Sequence, residues 1–183
     1  MDFYVCGLGG VIYLDSSSTP PTPICKYNLP NEYKILIADT LTPRKTTAAS
    51  QNIKERFQDN DPNIERYIDN ALVAVKQLQI IMSSEHADME LFGLTISKCH
   101  EYLRDHLGVS TNLLNLCVAR SLNQGALGAK LTGSGFGGAM FAVLHQKKIP
   151  FVIDALRDLP VKIKVTDIDY QGLMINREKP RIK

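Results

Sequence analysis

Residues 125 to 138 read Gly-Ala-Leu-Gly-Ala-Lys-Leu-Thr-Gly-Ser-Gly-Phe-Gly-Gly and hold half of the chain's 12 glycines. Each glycine in a regular element costs roughly 0.5–1 kcal/mol relative to alanine, so such a run marks a backbone path that other residues cannot follow. Two readings fit it. The hydroxyls of Thr132 and Ser134, the charge of Lys130 and the amides of a tight turn suit phosphate oxygens. Glycines at this density also let a strand cross close to a helix or form a bulge. The run lacks the Gly-Lys-Ser/Thr of a Walker loop. Gly133, Gly135 and Gly138 match a dinucleotide fingerprint in spacing, but the residues that follow, Ala139-Met-Phe-Ala-Val-Leu144, read as a strand where that fingerprint needs a helix.

With 183 residues, 44% apolar and 22% charged, the chain has the composition of a globular domain. A net charge of +2 gives no nucleic-acid footprint, and no apolar run reaches the roughly 18 residues of a membrane span. Neither nucleic acid nor membrane is an expected partner. Cys6, Cys25, Cys99 and Cys117 lack Cys-x-x-Cys spacing, and no signal peptide precedes them, so reduced thiols in a cytoplasmic protein are expected.

The pattern predicts strands at Val11–Asp15 and Lys34–Asp39, with a loop at Ser16–Pro23 because three prolines interrupt it. Helices are expected at about Lys45–Gln58, at Asn63–Met82 from apolar residues spaced by three and four, and at Asp88–Leu107 before Gly108. A further helix starts at a Ser110 or Thr111 cap and ends near Gly125. After the glycine run come a strand at Met140–Leu144, a helix at Ile149–Leu156 with Pro150 in its first turn, and an alternating strand at Val161–Tyr170. This order fits an α+β domain, with helices on one side of a mainly antiparallel sheet. His100 and His106 lie six residues apart, about 600° around a helix, which is no zinc-binding spacing; structural or solvated histidines are expected. Asn176–Lys183 is charged and reads as a solvated tail.

Lys130-Leu-Thr-Gly-Ser-Gly-Phe-Gly-Gly138, followed by a hydrophobic strand, resembles the third motif of the GHMP small-molecule kinases. Its Lys-Leu-Thr-Gly part is nearer the mevalonate kinase branch, and its Gly-Phe-Gly-Gly part nearer galactokinases. Ile35-Leu-Ile-Ala-Asp-Thr-Leu-Thr-Pro-Arg-Lys-Thr46 resembles a strand and turn of mevalonate kinases, in which Arg44 and Thr46 fall near the active site. Asp2 stands seven and eight residues before Gly9 and Gly10, the spacing of the family's catalytic aspartate. The resemblance runs from Asp2 to about Ile175 and matches the carboxy-terminal half of such an enzyme. The family's nucleotide loop, a Pro-x-x-x-Gly-Leu-Gly-Ser-Ser-type segment, lies upstream of that aspartate.

The resemblance implies a ferredoxin-like carboxy-terminal domain at 41–175, junction strands at 1–40 shared with an amino-terminal half, and the tail at 176–183. It implies the carboxy-terminal part of an ATP-dependent kinase acting on a small-molecule hydroxyl, with mevalonate the expected acceptor. A galactokinase-like sugar kinase fragment and a non-catalytic regulatory domain that kept the fold are the alternatives. Asp2 is then the catalytic carboxylate, and Arg44, Thr46, Thr132, Gly133, Ser134, Gly135, Gly137 and Gly138 are the substrate and phosphate contacts. ATP is expected, with Mg2+ held mainly by the missing amino-terminal half and no metal ligands here. That half is the expected partner, in cis or as a separate chain, and turnover by this chain alone is not expected. Read without the resemblance, Asp2 is a charged residue near a terminus, Arg44 a solvated turn residue, Thr46 a helix cap and Lys130 a strand residue facing water.

Overall fold

The computed structural model describes residues 2–15, 17, 19–44 and 46–174. It divides into two compact units, one of residues 1–30 with 167–183 and one of residues 31–166. The predicted tail lies outside the described residues.

In the first unit a helix, α1 (Asp2–Leu8), leads through Gly9 and Gly10 into a hairpin of β1 (Val11–Asp15) and β2 (Thr22–Tyr27). The sequence reading made Ser16–Pro23 a loop, and β2 corrects its end. Pro23 is accommodated because it pairs with Leu14 where the register slips, at an irregularity in a two-stranded sheet, so its missing N–H interrupts no central ladder. Lys26 Nζ donates to the carbonyls of Leu8 and Tyr170, each at 2.7 Å. The Tyr170 hydroxyl accepts from Leu29 N–H at 2.9 Å, and Gly10 N–H donates to Asp169 at 2.7 Å. These bonds explain why the predicted last strand is cut short, since residues 167–170 belong to this unit.

The second unit holds β3 (Tyr33–Asp39), α2 (Thr46–Gln58), α3 (Pro62–Ser83), α4 (Met89–Asp105), α5 (Asn112–Asn123), β4 (Gly128–Leu131), β5 (Ala139–His145), α6 (Ile149–Leu156) and β6 (Lys162–Thr166). Its four strands pair in the order β4-β5-β3-β6, every neighbour antiparallel. The unit therefore takes in β3, which the sequence reading placed among the junction strands. Alternation puts Leu36 and Ala38 of β3, Met140, Ala142 and Leu144 of β5, and Ala129 and Leu131 of β4 on one fully buried face. Leu114 and Cys117 of α5 and Val152 and Leu156 of α6 complete that core. Burying a leucine there is worth about 1.5–3 kcal/mol, so the sheet and these helices form as one body.

Helix α4 lies against the outer edge of β4, where an unpaired strand would expose its amides. A Cβ on Gly93 of α4 would overlap the Leu127 backbone, and one on Gly128 would overlap Gly93. The helix can therefore come close enough for Ser97 Oγ to accept from Ala129 N–H at 3.2 Å and His100 Nδ1 from Leu131 N–H at 3.3 Å. This close crossing is the second of the two uses the glycine run suggested. It engages Gly128 and leaves the glycines from 133 onward to the turn.

Candidate functional site

The turn between β4 and β5 is built by its contacts with two other loops. Thr132 N–H still donates to Ala139 at 2.9 Å, continuing the ladder. Phe136 N–H then donates to the Val109 carbonyl at 2.7 Å, and Gly138 N–H to Thr42 at 2.9 Å. The Gly138 carbonyl accepts from both the amide and the hydroxyl of Thr40, at 2.9 and 2.7 Å. Positive φ strains any side chain at Gly133, Gly135, Gly137 and Gly138, and two of these show what else a Cβ would meet. Gly135, at φ +80°, would drive a Cβ into the Val109 carbonyl, and Gly138, at φ +74°, would drive one onto Arg44 Nε.

Arg44 follows Pro43 on the loop from β3 to α2, and its guanidinium lies over the turn: a Cβ on Gly133 would come within 2.8 Å of its Nη1. Thr46 opens α2, and Ser134 Oγ donates to Thr46 Oγ1 at 3.1 Å. Arg44, Thr46, Gly133, Ser134 and Gly138 thus come together, and a Cβ on Gly137 would lie 2.9 and 3.0 Å from the Thr42 and Pro43 carbonyls. Beside them is an open depression of about 300 Å3, lined by Asp39, Leu41, Thr42, Pro43, Arg44 and Gly138. Among the described residues the amides of Gly133, Ser134 and Gly137 have no protein acceptor. Free amides, a guanidinium, two hydroxyls and the first turn of a 13-residue helix form a surface that fits a phosphate group.

Asp2 belongs to the other unit, where it opens α1; its side chain lies outside the described residues. Lys130 neither faces water freely nor reaches into the turn. Its Nζ donates to the Leu131 carbonyl at 2.9 Å and sits 5.6 Å from the centre of the Phe141 ring, and burial pushes its pKa below the usual lysine range. The sequence reading did not anticipate the support that Val109 and Thr40–Thr42 give the turn.

The family model for the GHMP kinases C terminal matches residues 74–162. This segment is a GHMP kinase C-terminal domain. Around it, the chain is 27% identical over 179 residues to a mevalonate kinase of Thermococcus sibiricus, covering 96% of this chain and 51% of the relative. It is 28% identical over 178 residues to a mevalonate kinase of Pyrococcus furiosus, with the same coverage. A galactokinase of Mycobacterium tuberculosis is 32% identical over 71 residues, or 39% of this chain and 20% of the relative. The chain spans about half the length of the curated mevalonate kinases it matches.

Among solved structures, L. major mevalonate kinase in complex with R-mevalonate superposes with a TM-score of 0.76 at 20% identity, over 87% of this chain and 50% of that one. Lactococcus lactis galactokinase complexed with galactose gives 0.67 at 20% identity, over 91% and 53%. At these identities the likeness establishes the fold. The GHMP carboxy-terminal fold, helices with an antiparallel sheet, is the α+β architecture the sequence resemblance implied.

Proposed function

We propose that this chain supplies the phosphate-facing wall of an ATP-dependent kinase that phosphorylates the hydroxyl of a small molecule, mevalonate first among candidates. The observation that carries this reading is the Arg44 guanidinium over Gly133 and Gly138, beside the Ser134–Thr46 hydroxyl pair and the free amides of the turn. ATP supplies the phosphoryl group. In such a transfer, charge spreads over the equatorial oxygens of the phosphoryl group, so catalysis rests on alignment and neutralisation. Arg44 and the turn amides stabilise that charge. Asp2 accepts the proton of the acceptor hydroxyl as the oxygen–phosphorus bond forms and the bond to ADP breaks.

Magnesium enters on the nucleotide. Its remaining contacts are assigned to an amino-terminal GHMP half, joined in cis or as a separate chain. That half also carries the nucleotide loop. The mevalonate kinase relatives, matched along 96% of the chain, favour mevalonate over a hexose. The 71-residue galactokinase match carries the second reading, a sugar acceptor.

The test is ADP formation by the chain with and without an amino-terminal GHMP half, in ATP and magnesium, offered mevalonate, phosphomevalonate or hexoses. Mevalonate turnover in the joined protein alone is expected. Preferential hexose turnover would move the assignment to the sugar kinases, and no turnover of any acceptor would leave a non-catalytic domain. Asp2→Asn in the joined protein is expected to cut kcat by at least about 100-fold while leaving ATP affinity within about 2-fold; unchanged kcat would remove Asp2 from the mechanism.

A further inference from the structure

We propose that His100 is a positioning residue that ties the two sides of the glycine-rich turn together, and that it does so only as the neutral imidazole with its proton on Nε2. The proposal rests on the reading that this turn faces phosphate. His100 is 1% exposed on α4. Its Nδ1 accepts the N–H of Leu131, the last residue before the turn, at 3.3 Å. Its Nε2–H donates to Asn115 Oδ1 at 3.2 Å, and the same oxygen accepts from Ser110 Oγ at 2.6 Å. Ser110 follows Val109, whose carbonyl holds Phe136 N–H at 2.7 Å and against which Gly135 packs. One imidazole therefore reaches the entry of the turn directly and its middle through Asn115 and Ser110.

These bonds fix the tautomer. With Leu131 N–H pointing at Nδ1, a second proton on the ring sets donor against donor, and the bond to the entry of the turn is lost. The ionisable groups facing the ring are Arg104 and Asp105 from its own helix and Lys130 from β4; Asn115 and Ser110, on the α5 side, are neutral. Burial, then Arg104 and Lys130, lower the His100 pKa from its usual 6.5, with the Asn115 bond and Asp105 opposing. The unfolded chain takes the proton first as pH falls. The stability contributed by the neutral ring is complete above pH 6.5 and is lost as pH falls through the depressed folded value.

The experiment is side-chain nitrogen NMR and amide hydrogen exchange on the full chain from pH 7.5 to 5, each exchange rate corrected for its intrinsic pH dependence. His100→Asn keeps an acceptor near the Nδ1 position and cannot titrate; His100→Gln withdraws it. In the wild-type chain an Nε2–H ring is expected, with protection of the Leu131 and Phe136 amides falling at least about 10-fold as His100 gains its second proton. Protection in His100→Asn should stay flat with pH, and in His100→Gln it should be low throughout. An Nδ1–H ring, or wild-type protection that holds while His100 titrates, would overturn the proposal. This readout requires no phosphoryl transfer, so failure of the kinase reading is registered separately. In the joined protein, His100→Gln is expected to raise the KM for ATP more than it lowers kcat; a loss in kcat alone would contradict the positioning role.

Discussion

At the scale of single residues, the turn is shaped by what cannot be added to it. Gly108 and Gly135 both have positive φ, +67° and +80°, but a Cβ on Gly108 meets open space while one on Gly135 meets the Val109 carbonyl. Gly108→Ala therefore carries only the backbone cost of about 1 kcal/mol, whereas Gly135→Ala adds a clash with backbone and should lose about 2–3 kcal/mol in all. Urea unfolding of the two variants measures the difference; equal losses would mean that Val109 does not constrain the turn. The glycines, Arg44 and Thr46 were legible in the sequence because their residue types are themselves the signal. Val109 was not, because a valine carbonyl has no signature, and its contact with Gly135 spans 26 positions that only the packing of α5 brings together. Lys130 misled for a related reason: a lysine in a strand reads as solvated, but the Phe141 ring and the Leu131 carbonyl hold its amine down.

At the scale of elements, α4 and α5 do the positioning. Helix α4 covers the edge of β4 and carries His100, while the start of α5 presents Asn115 beside Ser110. Thr111 caps α5, its hydroxyl accepting from Leu114 N–H at 3.3 Å. Thr111→Ala is expected to cost about 1 kcal/mol and to loosen the Phe136 amide as well, since Val109 lies two residues before the cap. Amide exchange reports both; a stability loss with unchanged Phe136 protection would separate the cap from the turn. Helices α2 to α6 were read to within about two residues because apolar spacing and caps such as Thr111 are local, whereas α1, in a stretch read as junction strands, was missed. Strand β2 escaped because Pro23 is accommodated only at the irregular pairing opposite Leu14. Strand β6 was overextended because the alternation continues past Thr166 while the chain leaves the sheet for the other unit.

At the scale of the whole molecule, the described chain is a four-stranded unit with the GHMP carboxy-terminal fold and a smaller hairpin unit, together about half the length of the mevalonate kinases they match. The surface proposed to face phosphate lies wholly within the larger unit, whereas the proposed carboxylate, Asp2, belongs to the smaller one. The central claim is that Arg44 and the glycine turn act on the transferred phosphate. Arg44 is exposed and forms none of the ion pairs found among the described residues, so its removal should leave stability within about 0.5 kcal/mol. The decisive measurement is kcat/KM for ATP in the joined protein, wild type against Arg44→Ala. A fall of about 10- to 100-fold at unchanged thermal stability is predicted, the size of a lost charge-assisted contact to phosphate; a kcat/KM within about 2-fold of wild type would contradict the account.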